Sequence, residues 1–157
     1  MSRYIRPRRP GAVVFFTVNL AHRGSDLLVQ EIDALRKSVR KTLAERPFGI
    51  DAWVVLPDHM HCIWRLPEAD ADFSTRWSVI KARFSRAMPP VDRRASHMAR
   101  REHGIWQRRF WEHHIRNEAD WRAHMRYCWI NPVKHGLVAH PAEWPYSSFH
   151  RDGPPDP

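Results

Sequence analysis

Apolar residues recur along this chain with two different periods. Gly11-Ala-Val-Val-Phe-Phe-Thr-Val-Asn-Leu20 is crowded with β-branched and aromatic residues, the composition of a strand. Leu28, Ile32, Leu35, Val39 and Leu43 then return at helical spacing, which predicts a helix from a cap at Ser25 or Asp26 to about Glu45, closed by Pro47. Phe48 to Leu56 and His59 to Leu66 read as two strands around a Pro57-Asp58 turn. Phe73, Trp77, Ile80 and Phe84 share one face of a second helix over residues 73–87. Residues 88–104 hold Pro89-Pro90, several arginines and few apolar groups, and read as a mobile loop. Ile105 to Ile115 is a fourth strand candidate. Asn117 caps a third helix that runs to about Ile130, where Pro132 discourages continuation. Residues 141–157 form a proline-rich tail that still carries Trp144, Tyr146 and Phe149.

The order strand, helix, strand, strand, helix, strand, helix predicts an α+β fold. The expected form is a ferredoxin-like antiparallel sheet of four to five strands, with helices packed mainly on one face. A chain of 157 residues fits one domain, taken as residues 1–150 with a short tail at 151–157. No apolar run is long enough to span a bilayer, so no membrane partner is expected. The basic N-terminus lacks the apolar segment and cleavage site of a secretory signal, which points to the cytoplasm. Cys62 and Cys128 lie among large apolar residues and read as buried thiols in a reducing compartment.

Charge narrows the function. Lysine and arginine number 26 against 17 acids, a net charge of +9. Such an excess in a small chain points to a polyanionic partner. Eight tryptophans add flat faces on which bases can stack, or else they fill the core.

Two patterns carry candidate chemistry. In His59-Met60-His61 the imidazoles stand two apart, so on a strand both project from one face and can begin a divalent metal site. With 11 histidines in the chain, chance alone supplies about 0.8 such pairs. The pair does sit within an apolar stretch, where two buried histidines need a reason. Tyr127 and Asn131 stand four apart, on one face of the third helix. A tyrosine hydroxyl, with a pKa of about 10, attacks a phosphate only when metal or base assists it. Asn131 offers a carboxamide oxygen one turn away. The alternative is structural: Tyr127 in the core and Asn131 capping the helix before Pro132.

Three stretches resemble the REP-associated tyrosine transposases, relatives of the single-tyrosine HUH transposases of bacterial insertion sequences. They are Val54-Val-Leu-Pro-Asp-His-Met-His61, Trp106-Gln-Arg-Arg-Phe-Trp111 and Tyr127-Cys-Trp-Ile-Asn-Pro-Val-Lys-His-Gly-Leu-Val138. Glu143-Trp-Pro-Tyr-Ser-Ser148 is similar to the family's ending. The resemblance implies that residues 1–150 form an HUH transposase-like domain in which His59, His61 and Asn131 bind a divalent metal, Mg²⁺ or Mn²⁺. Tyr127 would be the nucleophile, cutting and rejoining single-stranded or hairpin DNA through a 5′-phosphotyrosine link, on repetitive extragenic palindromes. It also implies a nucleoid-associated monomer, with a dimer as the alternative. Arg108, Arg109, Arg116 and the arm Arg3, Arg6, Arg8 and Arg9 are candidate phosphate contacts or else solvated charges. Two positions depart from the family pattern. Trp129 stands where a histidine is common, and His135 where a small residue is common. His124, three residues before Tyr127, is an alternative proton shuttle or a surface histidine. Two other functions remain open: a non-catalytic hairpin-binding module, and a metal-dependent nuclease that activates water. The absence of a carboxylate-rich cluster from the sequence weighs against the second.

Overall fold

Alternation of side chains along the first strand decides how the two faces of the sheet are covered. The structure, a computed structural model, describes residues 10–88 and 104–153. Strand β1 spans Val13–Asn19, β2 Gly49–Val55, β3 His59–Arg65 and β4 Trp111–His114. They form one antiparallel sheet in the order β2-β3-β1-β4. That order follows from a split β-α-β unit, in which β3 is inserted between β1 and β2, and it is the expected ferredoxin-like arrangement. No helix among the described residues is long and apolar enough to cross a membrane.

Val14, Phe16 and Val18 of β1 and Met60, Cys62 and Trp64 of β3 point to one face. There they meet α2 (Ile32–Glu45) and α3 (Phe73–Ala87). Trp64 stacks on Trp77 with ring centroids 4.2 Å apart. Both indoles are fully buried, each contributing about 1.5–3 kcal/mol through desolvation. Phe15 and Ile63 point to the opposite face, against α4 (Glu118–Lys134), which supplies Met125 and Cys128. Two of the three long helices thus share one face, while the third covers the other and brings Tyr127 to the sheet. The thiols of Cys62 and Cys128 are both buried on these opposite faces, and burial pushes Cys128 up to about 12.

Helix α3 occupies the residues its apolar spacing predicts. Its cap, Asp72, accepts from the Thr75 backbone N–H. Asn117 caps α4 as expected, its Oδ1 accepting from the Asp120 N–H at 2.8 Å.

Elsewhere the structure differs from the pattern. The first helix breaks at Glu31 into α1 (Leu27–Gln30) and α2, and the Leu28 N–H bonds to Pro57 O of the β2–β3 turn. The fourth strand shrinks to four residues, with only an isolated bridge between Leu20 and Trp106 before it. Helix α4 continues through Pro132 to Lys134. Proline removes one N–H in the last turn; Leu137 N–H then closes that turn onto Pro132 O, helped by Gly136 at φ +71°. The tail is anchored through Ser147, which bridges Val54, and the Trp144 indole N–H, which donates to Val55 O. A 3₁₀ turn at Pro141–Glu143 precedes these anchors, and α5 at Phe149–Asp152 follows them. The tail covers the outer edge of β2, which would otherwise present unpaired backbone groups. The loop expected at 88–104 lies, apart from Met88 and Gly104, outside the described residues.

Candidate active site

His59 and His61 open β3, where alternation sends both imidazoles to the α4 face and Met60 to the other. The residues before and beside them fix the rings. Asp58 Oδ1 lies 2.7 Å from His59 Nδ1, and Thr17 Oγ1, directly across the β1–β3 ladder, lies 2.8 Å from His61 Nδ1. With Nδ1 engaged on each ring, Nε2 is the atom left to act. His61 Nε2 is buried and meets no hydrogen-bond partner. Carboxylate or hydroxyl support behind an imidazole is the usual way to orient a metal-binding nitrogen.

Electrostatics hold the pair neutral. Burial first, and then neighbouring His59, His135 and Lys134, lower His61 to about 3, against the opposing effect of Asn131. Burial also lowers His59, against the pull of Asp58. At Asp58 the penalty of burial is outweighed by the Gly24 N–H, His59 and Arg23, so the carboxyl stays below its usual range.

Helix α4 brings the other residues. Its buried stripe runs Met125, Cys128, Asn131, Pro132, so Asn131 lies inside the helix and not at its cap. Its side chain is fully buried, and neither carboxamide atom has a hydrogen-bond partner. It lies close enough to favour protonation of His61, without hydrogen-bond geometry. Leaving such a group unsatisfied costs about 1–3 kcal/mol, so a ligand-free carboxamide here is held at a loss. One turn earlier the Tyr127 ring meets His61 edge-on, with centroids 5.1 Å apart, and packs against Phe15 at 5.8 Å. The Lys134 ammonium sits 5.1 Å over the same ring. His59, His61, Tyr127 and Asn131 are therefore one cluster on one face. A cation fits the donors: one orphaned imidazole nitrogen, a second imidazole supported from behind, and an orphaned carboxamide.

A second histidine cluster adjoins it. The ligand atoms of His113, Asp120 and His124 lie within 4.8 Å of one another, a set compatible with a metal. His113 Nε2 is 2.8 Å from Asp120 Oδ2 and His124 Nδ1 3.0 Å from Asp120 Oδ1. The His124 ring stacks on His113 and packs on Phe15 at 4.8 Å, so it is not a lone surface histidine.

The arginines divide. Arg108 and Arg109 are exposed just ahead of β4, at the end of the sheet where Asn19 faces His59. Arg116 is exposed past the other end of β4, beyond Val14, about 15–20 Å along β1 at 3.3 Å per residue. Arg3, Arg6, Arg8 and Arg9 lie outside the described residues. Sequence reasoning missed Thr17, Asp58 and Lys134 as parts of the cluster. Asp58 and Lys134 stood beside named motif residues, but Thr17 became visible only through strand register.

A ferredoxin-like sheet with two imidazoles on one strand facing a helix-borne tyrosine defines a class of phosphoryl-transfer architecture. The relatives make it specific. A REP-associated tyrosine transposase of Escherichia coli (strain K12) is 51% identical over 152 residues, 97% of this chain and 85% of that protein. A Haemophilus influenzae relative is 42% identical over 154 residues, 97% of this chain and 88% of its own length. The solved structure of a REP-associated tyrosine transposase bound to a REP hairpin superposes with a TM-score of 0.83 at 51% identity, covering 97% of this chain and 85% of that one. No family model matches the chain. The chain belongs to the REP-associated tyrosine transposase family.

Proposed function

We propose that this chain is a DNA transposase that cuts and rejoins single-stranded DNA beside hairpins, with Tyr127 as nucleophile. The observation that carries the reading is Asn131: a fully buried carboxamide with no partner, one turn from Tyr127 and beside an imidazole whose Nε2 is also unpartnered. The related protein bound to a REP hairpin makes repetitive extragenic palindromes the proposed substrate. His59, His61 and Asn131 would hold Mg²⁺ or Mn²⁺, which when bound polarises and orients the scissile phosphate.

The chain's own residues do the rest. The Tyr127 oxygen attacks phosphorus and gives up its proton; the bond from phosphorus to the 3′ oxygen breaks, and that oxygen takes a proton. The 5′-phosphotyrosine keeps the phosphodiester energy, so a 3′-hydroxyl reverses the step without ATP. A side chain on a packed helix cannot reach into a stacked duplex, which suits an unpaired substrate. Lys134, over the Tyr127 ring, is placed to neutralise phosphate charge. Arg108 and Arg109 serve the strand at the His59 end, Arg116 adds a contact away from the chemistry, and the arm Arg3, Arg6, Arg8 and Arg9 adds phosphate contacts. The protein works as a monomer in the cytoplasm, in contact with the nucleoid.

The test is incubation with labelled hairpin-bearing single-stranded DNA and Mn²⁺, followed by a denaturing gel. A covalent protein–DNA adduct is expected, and Tyr127→Phe removes it with a loss of at least about 1,000-fold. Cleavage without an adduct, or an adduct that survives Tyr127→Phe, would overturn the assignment.

A further inference from the structure

His135 is the residue whose place in the structure the proposed chemistry does not use. It ends α4, where its backbone N–H donates to Asn131 O at 3.0 Å. Its side chain is exposed, yet its ring centroid lies 5.0 Å from that of His59, nearly perpendicular at 72°. His61 also lies 5.0 Å from His59, at 82°. Two imidazoles that share a cation through one nitrogen each, at roughly 2.1 Å plus a ring radius of roughly 1.2 Å, place their centroids about 4.7–5.4 Å apart for bond angles of about 90–110°. Both pairs fall in that range. The pair His113–His124, at 4.7 Å, instead has its ring planes nearly parallel, at 18°.

The backbone adds to the argument. His135 stands one turn beyond Asn131, as Asn131 stands one turn beyond Tyr127, so the three form a stripe on α4. The stripe ends at the C-terminus of α4, the negative end of the helix dipole, which favours a positive charge.

We propose that His135 is a further, solvent-side ligand of the cation that His59, His61 and Asn131 would hold, giving three imidazoles and one carboxamide. This rests on the metal-site reading above. A donor set rich in imidazole favours a borderline ion such as Mn²⁺ over Mg²⁺, which prefers oxygen and water. His135 is exposed and at a helix end, so it is also the ligand an incoming phosphate oxygen can displace without disturbing the buried pair.

The test is a titration of the metal-free full chain with Mn²⁺ and with Mg²⁺, read by the resonance of free Mn²⁺ and by competition, together with the nitrogen couplings of bound Mn²⁺. Wild type, His135→Ala, His135→Gln and His61→Ala are compared, with circular dichroism checking the fold. His135→Ala is expected to weaken Mn²⁺ about tenfold and Mg²⁺ less than about twofold, and to remove one imidazole coupling. His135→Gln, which keeps size at an exposed position, is expected to behave likewise. Unchanged Mn²⁺ affinity and couplings in both His135 variants, with binding lost in His61→Ala, would overturn the role of His135 and leave the underlying site standing. No Mn²⁺ binding in wild type, or full binding in His61→Ala, would overturn both.

Discussion

Two histidine clusters flank Phe15 on the same face of the sheet, and they differ in how their polar atoms are satisfied. In the cluster of His113, Asp120 and His124, the carboxylate pairs with His113 and accepts from the Arg116 backbone N–H, while His124 Nδ1 bonds to the Asp120 backbone carbonyl at 2.9 Å. It closes on itself and fastens the start of α4 to β4. In the cluster of His59, His61 and Asn131, the Nδ1 atoms are supported from behind, while His61 Nε2 and both Asn131 carboxamide atoms have no partner in hydrogen-bond geometry. A saturated network needs no ligand to explain its residues. An orphaned one is held against a cost of about 1–3 kcal/mol per group, and a ligand is the economical reason for keeping it.

The sharpest way to break this contrast is Asn131→Leu, which replaces the orphaned carboxamide with an apolar side chain of similar size. If Asn131 serves a ligand, adduct formation falls by about 100-fold or more while the metal-free chain is as stable as wild type or more stable, by up to about 1–3 kcal/mol. The two readouts are a denaturing gel and urea unfolding in the presence of a chelator. A variant that loses stability and keeps activity would make Asn131 a structural residue like those of the other cluster.

The sequence pattern reached the orphaned cluster and overlooked its supports. Strand alternation placed His59 and His61 on one face, and helical spacing joined Tyr127 to Asn131, because both are local rules. Nothing local joined the two pairs; the packing of α4 on the sheet did that. Thr17 was hidden because its partner lies 44 residues away and depends on the β1–β3 register. The extension of α4 past Pro132 was missed because a proline in the last turn forfeits only one bond, and Gly136 and Leu137 rebuild the end. In β2 the register shifts between Ile50 and Ala52, so these residues, two apart, face opposite cores. Such a bulge has no periodic signature. By contrast α3 and the Asn117 cap were legible, since spacing and side-chain capping are both written within a few residues.

Acid should separate the clusters by pH window. His61 is lowered to about 3 and His59 is also lowered, so each binds fewer protons folded than unfolded below about pH 6.5. Their contribution is present above the unfolded value and is lost as pH falls through the window down to about 3 for His61. The slope is up to about 1.4 kcal/mol per pH unit for each histidine. Urea unfolding with chelator at pH 7 and pH 5 is expected to show a loss of about 1–3 kcal/mol, reduced in His61→Gln. Asp120 is also lowered: burial, which raises it, is outweighed by the Arg116 N–H, His113 and His124. Its contribution is present above the ordinary carboxylate value and is lost only as pH falls below it. A pH 7 to 5 loss that persists undiminished in His61→Gln would place the acid sensitivity outside the orphaned pair.

The smallest effect tests the saturated cluster itself. Asp120→Ala removes the carboxylate partner of His113 and of the Arg116 backbone N–H, and the charge beside His124, at the first turn of α4, where a negative charge also favours the helix dipole. The expected cost is about 1–2 kcal/mol in urea unfolding, since the groups released are only partly buried and water can replace some of the bonds. Mn²⁺ affinity is expected to stay within about twofold of wild type, because the orphaned donors belong to the other cluster. That pairing, lost stability with retained metal, is the reverse of Asn131→Leu. Should Asp120→Ala instead abolish Mn²⁺ binding, His113, Asp120 and His124 would be the metal centre, and the unpartnered atoms of His61 and Asn131 would need another occupant.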